Sequence, residues 1–332
     1  MRIFKDFFKQ IIIAAVVILF FVIAINVNNN IDNENPYTKV NTTIPVPAVA
    51  TKDIEALDIS FDDTIIGRTD NINSELFADC YYALLIDDTD KYAYVSKDIY
   101  KRMYPASMTK LMTAMVVLDK VNDKTIGLND VVTVEHYYDL TSEGVLPTEM
   151  NPGCKITVKD LLYTLLIQSN NYYALILADY VAGSEEAFCE LMNQKAISLG
   201  ATGTHFANPH GLDAVDHYTT AYDMYLIIKA AHGYDEIRTI DTFEAYNYFY
   251  YNSAGNPIEM NISPTNLFMS GDVALPSGYT IEVWKTGTTD GAGNCLAMFL
   301  TRDGKDYMLV ASAEESKAVL YDAIVSMLCL VN

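Results

Sequence analysis

Three short motifs fall in order along this chain: Ser107-Met108-Thr109-Lys110, Ser169-Asn170-Asn171 and Lys285-Thr286-Gly287. Each alone is commonplace. As an ordered set, each in a fitting local context, they constrain the fold more than any other feature. A single centre built from all three needs an architecture that brings widely separated stretches of chain to one place.

The local patterns indicate what that architecture is. Residues 81–86 and 92–95 read as strands around the turn Asp88-Thr89-Asp90. Residues 107–121 read as a helix, with Leu111, Met115 and Leu118 at helical spacing. Helices are expected at 160–167 and 174–181, on either side of Ser169-Asn170-Asn171, with Thr157 and Asp160 as a capping pair for the first. Another starts at Ser184-Glu185-Glu186 and runs to about Leu199. Strands return at 280–285, 296–300 and 307–311, the last two joined by the hairpin signal Arg302-Asp303-Gly304-Lys305. Residues 317–330 close the chain as a helix with Leu320, Ile324 and Leu328 on one face. Strands, many helices, then strands predict an α+β fold: an antiparallel sheet made from both ends of the chain, with a helical lobe inserted between them. The motifs would meet where sheet and lobe join.

The residue types fit acyl transfer with lysine as the base. A serine hydroxyl needs a positioned base to become a nucleophile. On a helix, Lys110 stands one turn beyond Ser107 on the same face, and the helix start favours developing negative charge. Lysine acts as a base only when burial or a second cation lowers its pKa; Lys285 is the candidate second cation. Ser169 can relay a proton, and Asn171 can orient both the lysine and a substrate carbonyl. Lys285 and Thr286 can hold an anionic group. Gly287 permits close approach of a substrate backbone, and the stretch through Thr288 suits an oxyanion donor from a backbone amide. Taken singly, Ser107 reads as a helix cap, Ser169-Asn170-Asn171 as a polar helix break, and Lys285-Thr286-Gly287 as a solvated strand end.

At the amino terminus, residues 11–27 carry no charge and one polar residue, Asn26, after Arg2, Lys5 and Lys9. The expectation is a cytoplasmic basic segment over 1–10 and an uncleaved membrane anchor over 11–27. The competing reading is a signal peptide; Ile23-Ala24-Ile25 is a poor cleavage site. Residues 28–75, with Pro36, Pro45 and Pro47, read as an extended extracytoplasmic spacer. Residues 76–332 are then the catalytic domain, with structure starting near Cys80, on the outer side of the cell membrane, or secreted if the leader is cleaved. The formal charge is −21, and residues 1–10 hold +2, so the remainder carries about −23. So acidic a body repels nucleic acid. Five cysteines without a paired spacing argue against a disulfide framework or a zinc knuckle.

With the motifs placed, the chain resembles the penicillin-binding D-alanyl-D-alanine carboxypeptidases, low-molecular-weight serine peptidases of bacterial cell walls. The likeness extends through Tyr104-Pro105-Ala106-Ser107, Val181-Ala182-Gly183-Ser184-Glu185-Glu186 and Thr204-His205-Phe206-Ala207-Asn208-Pro209-His210-Gly211-Leu212-Asp213. The resemblance implies a five-stranded antiparallel sheet with flanking helices and a mostly helical lobe, as in β-lactamases and transpeptidases. It implies removal of the terminal D-alanine from peptidoglycan stem peptides through an acyl-enzyme on Ser107, without metal or cofactor, and covalent trapping by β-lactams. It also implies the roles: Lys110 as base, Ser169 as proton relay, Asn171 positioning the acyl group, Lys285 and Thr286 receiving the terminal carboxylate, and the amides of Ser107 and Thr288 forming the oxyanion hole beside Gly287.

Several positions depart from the family pattern. Asn170 replaces a glycine and, with Tyr172 and Tyr173, is expected to narrow the cleft. Tyr222, in Ala221-Tyr222-Asp223-Met224, replaces an arginine. No late arginine is evident near the closing helix, where Lys317 is the nearest cation. The loss of cations motivates an alternative, a catalytically weak or silent sensor that binds penicillin or muropeptides. A β-lactamase shares the motifs, but no Glu-x-x-Leu-Asn stretch follows the second one. A zinc peptidase using His205, His210 and His217 with Asp213 or Asp216 lacks the familiar His-Glu-x-x-His spacing.

Overall fold

The computed structural model describes residues 72–313 and 316–331. The basic segment 1–10, the anchor 11–27 and nearly all of the spacer 28–75 lie outside the described residues. The spacer's last residues do not behave as a spacer. Ile72 accepts the Ser96 amide at 3.1 Å, Asn73 reaches the Tyr94 carbonyl at 2.8 Å, and Ser74–Phe77 forms a 3-10 turn that buries Phe77. The folded unit therefore starts before Cys80, because Phe77 supplies apolar surface that the back of the sheet needs.

The main sheet has five strands: β1 (Cys80–Asp87), β2 (Tyr92–Lys97), β7 (Thr280–Thr289), β8 (Gly293–Arg302) and β9 (Lys305–Ala313), in spatial order β2-β1-β9-β8-β7. Every pairing is antiparallel. The three central strands are buried on both faces, which is why they read as near-continuous apolar runs rather than as alternating ones. Period two still sorts them. Val283, Cys295, Ala297, Phe299, Met308 and Val310 face the lobe, whereas Trp284, Leu296, Met298, Leu300, Leu309 and Ala311 face the other side. That other side is covered by the closing helix α7 (Lys317–Leu328) through Leu320, Ile324, Met327 and Leu328.

The lobe inserted between β2 and β7 holds six helices: α1 (Thr109–Asn122), α2 (Val158–Ile167), α3 (Asn171–Ala182), α4 (Glu185–Ser198), α5 (Ala221–His232) and α6 (Asp235–Ile240). Their starts are chemically explicit. Thr157, Asn170, Ser184 and Thr220 each accept an amide of the first turn on their side-chain oxygen. Helix α1 is apolar on nearly all sides and is buried from Thr109 to Leu118, forming the axis of the lobe.

The lobe is not purely helical. A second sheet of order β3-β4-β5-β6 is built from Val131–Thr133, Lys155–Thr157, Tyr246–Tyr251 and Pro257–Ile262. The sequence reading contained none of it. Strands of three residues carry no measurable period, and β5 pairs with β4 through the single register Lys155–Tyr251, far apart in sequence. The five cysteines are free, four of them buried.

Candidate active site

Ser107 is not on the helix proper. It sits in a 3-10 turn, Ala106–Met108, immediately before α1, and Ala106 is left-handed at φ 47°. Lys110 occupies the first turn of α1 and still lies three residues on, so the expected pairing holds: its Nζ is 2.8 Å from Ser107 Oγ. The serine is not a cap, because α1 has no side-chain cap.

The surroundings of Lys110 determine what it can do. Its side chain is fully buried. Besides Ser107, Nζ reaches Asn171 Oδ1 at 2.6 Å and the His210 carbonyl at 2.5 Å. Both of those atoms only accept. An amine donating to both has its lone pair left for the serine hydroxyl. Burial lowers the Lys110 pKa well below its ordinary value, and the neighbouring Lys285 charge lowers it further. The group is thus biased toward the neutral amine that can take a proton.

The second motif is split by its helix. Asn170 caps α3, accepting the Tyr173 amide at 3.2 Å, and Asn171 is the first helical residue, aimed at Lys110. Ser169 is left-handed at φ 64°, and its Oγ is buried with no hydrogen-bond partner among the described residues. An unsatisfied buried hydroxyl on a left-handed backbone costs stability. The residues expected to narrow the cleft are engaged elsewhere. Asn170 is engaged as a cap, while Tyr172 and Tyr173 turn into the lobe core, Tyr173 sharing a 2.9 Å hydroxyl contact with Tyr248.

The third motif ends β7. Lys285 is fully buried, and its Nζ donates to the Thr286 carbonyl at 3.1 Å. Burial pulls its pKa down to about 7, with Asp241 opposing that fall. A Cβ on Gly287 would stand 2.8 Å from Ala106 Cβ and 3.1 Å from the Ser107 amide, so only glycine lets β7 lie this close to the Ser107 turn. Thr286 pairs hydroxyls with Thr265. Thr288 is exposed, its hydroxyl bonded to the Gly287 carbonyl at 2.8 Å. All three motifs therefore meet at the seam between sheet and lobe.

A fourth segment, the loop 204–213, is as much part of the site. A Cβ on Gly211, whose φ is +92°, would fall 1.9 Å from the Ala106 carbonyl oxygen. Thr113 of α1 donates to the Pro209 carbonyl at 2.6 Å, and Asp213 accepts from Thr289 and from the Gly291 amide at 2.7 and 2.8 Å. The three histidines serve this loop rather than a metal. His217 accepts the Ala207 amide on Nδ1 and meets Thr109 through Nε2; His210 accepts the Leu212 amide; His205 Nδ1 contacts the Asp216 carbonyl.

Tyr222 is away from the site. It packs at a tilt against Tyr100 at 5.5 Å and stacks with Tyr225 at 5.7 Å, and Tyr225 and Lys229 bind Asp88 in the β1–β2 turn, at the opposite edge of the sheet from β7. Sequence reasoning missed Gly211, the His210 carbonyl, Thr265 and Asp241. For Gly211 a usable signal existed, in a His-Gly pair inside a loop rich in capping residues.

The fold and the three converging motifs define the class: an α+β architecture with a serine–lysine pair at the seam of sheet and lobe. Residues 71–315 match the family described as D-alanyl-D-alanine carboxypeptidase, and the chain belongs to that family. It is 37% identical over 176 residues to the D-alanyl-D-alanine carboxypeptidase DacF of Bacillus subtilis, covering 52% of this chain and 44% of that one. It is 35% identical over 229 residues to DacC of Escherichia coli, covering 68% and 50%. The chain thus spans about half the length of these curated relatives. The Streptomyces K15 DD-transpeptidase superposes with a TM-score of 0.68 at 26% identity, over 76% of this chain and 96% of that one.

Proposed function

We propose that this chain is a serine-type D-Ala-D-Ala carboxypeptidase acting on peptidoglycan stem peptides, with Ser107 as nucleophile. The observation that carries the reading is the buried Lys110 amine, 2.8 Å from Ser107 and otherwise bonded only to acceptors. Ser107 Oγ bonds to the carbonyl carbon between the two D-alanines while its proton passes to Lys110. The carbonyl oxygen takes the charge beside the Ser107 and Thr288 amides. The C–N bond breaks, and the proton reaches the leaving amine through Ser169. Water then cleaves the ester, releasing the shortened peptide and freeing Ser107. Asn171 steers the acyl group. Lys285 and Thr286 hold the free carboxylate, and the Thr265 hydroxyl, paired with that of Thr286, fixes where it stands. A β-lactam presents a comparable carbonyl and carboxylate and traps the ester.

The test is labelled penicillin with mass mapping of the adduct, alongside D-alanine release from a peptide ending in D-Ala-D-Ala. An adduct on Ser107 that vanishes in Ser107→Ala, together with D-alanine release, is expected. An adduct without release of D-alanine makes the chain a binder, and rapid hydrolysis of the penicillin makes it a β-lactamase.

The membrane assignment is part of the same proposal. The apolar residues 11–27 behind a basic start support a retained single-pass anchor with the enzyme on the outer face. Among the described residues no helix is long and apolar enough to cross a membrane. Protein isolated from cells should keep its original amino terminus; a new one near residues 24–30 refutes retention.

A further inference from the structure

Asp241 follows α6 and is 1% exposed. Its Oδ2 accepts the Trp284 amide at 2.7 Å, its backbone carbonyl accepts the Trp284 indole at 3.2 Å, and its Oδ1 has no hydrogen-bond partner among the described residues. Trp284 directly precedes Lys285. In an antiparallel strand, alternate residues turn their backbone groups to alternate sides. Strand β7 lies at the sheet edge, and the Trp284 amide faces outward to Asp241, so Thr286 and Thr288 also face the open edge. The Asp241 carboxyl therefore stands where a neighbouring strand would, and it ends one residue before Lys285.

We propose that Asp241 is a positioning residue for Lys285: it closes the open edge of β7 at Trp284, so that substrate meets the strand only from Thr286 onward, and it supplies the counter-charge to the buried Lys285 ammonium. The proposal rests on the role given to Lys285 above.

Charge accounting supports it. A buried carboxylate with a vacant oxygen and a buried ammonium with one hydrogen bond are each costly alone; here they make no direct ion pair, and the carboxyl is held one residue from Lys285 by the Trp284 amide. Burial is the larger influence on both groups, and each charge opposes it in the other: Lys285 favours the ionised Asp241 carboxyl and Asp241 favours the charged Lys285. Burial pushes the Asp241 carboxyl up, while the Trp284 amide and Lys285 both favour its ionised form. On the packed elements, Lys110 of α1 feels Lys285, whereas His232 of α5 is acted on by Arg238 of α6 and Glu282 of β7.

Asp241→Asn tests this in the full chain, because it keeps an oxygen for the Trp284 amide and removes the charge. Lysine labelled with carbon-13 at Cε is titrated by NMR, with the Lys285 signal assigned by its loss in Lys285→Arg. The Lys285 midpoint is expected to fall by at least about one pH unit in Asp241→Asn, and the alkaline limb of penicillin acylation to move the same way. A midpoint that stays in place while the protein remains folded overturns the proposal, and leaves Asp241 a purely structural clamp. If Asp241→Asn does not fold, the reciprocal measurement decides: in Lys285→Met the Asp241 carboxyl midpoint should rise by about the same amount, and a constant midpoint overturns the proposal. The two readings fail separately. Absence of wild-type acylation refutes Ser107 chemistry, while the Lys285 titration judges Asp241 without any turnover.

Discussion

Lys110 shows how much a residue's value for chemistry differs from its value for stability. Its pKa is depressed in the folded state, so the unfolded chain binds the proton more tightly. Stability therefore rises with pH through the interval from the folded pKa up to the ordinary lysine value, and is lower on the acid side. Lys110→Met should abolish acylation yet raise the melting temperature at neutral pH, by an amount on the order of a kcal/mol or more in stability; thermal unfolding and penicillin labelling check both halves. In the wild type, acylation should increase with pH along the acid limb as the amine loses its proton. Lys285→Ala should depress kcat/KM on a free-acid peptide at least about tenfold more than on its carboxyl amide; an equal loss on both would show that Lys285 serves Lys110 rather than the carboxylate. Tyr222→Arg should leave kcat/KM nearly unchanged, because Tyr222 stacks at the far edge of the sheet. The Ser107–Lys110 pair was legible because i,i+3 spacing is a local matter. Asp241, Thr265 and the His210 carbonyl were not, since each acquires meaning only from a contact across the fold.

At the scale of elements, the Ser107 turn is approached closely by two glycines from different places, Gly211 of the loop and Gly287 of β7. Gly211→Ala combines a positive φ with a near-collision against backbone, and should cost about 3 kcal/mol or more of stability and eliminate labelling. Gly287→Ala meets only the Ala106 side chain and the Ser107 amide more gently. Its damage should fall on acylation more than on melting temperature, and measuring both in each variant separates the cases. The elements that could be read from sequence share a trait. The strands β1, β8 and β9 are long apolar runs, and helices α2 and α4 announce themselves through Thr157 and Ser184. Helix α3 proved longer than expected at its start, because Asn170, not a later residue, is its cap. The second sheet escaped because β3 and β4 are three residues each, and its aromatic strand Tyr246–Tyr251 finds its partners through tertiary contacts.

Seen whole, the molecule is a sheet closed by both ends of the described chain, β1 pairing with β9. The lobe side carries the candidate site, and the α7 side only packs behind it. Ile324→Ala on the α7 face should therefore cost about 2–5 kcal/mol in a denaturant titration, while the surviving folded fraction labels with penicillin at the wild-type rate. The split between the two faces was visible beforehand in the order of strands and helices, whereas the nearness of Gly211 to Ala106 depends on three-dimensional closure. That closure has a practical consequence. The turn bearing Ser107 packs against both the lobe loop and the late strand, so a half-assembled chain is expected to present an ordinary unreactive hydroxyl. Covalent labelling by a β-lactam would then count correctly assembled molecules one by one, an assay of folding yield that needs no purified standard and no spectroscopic signal from the protein itself.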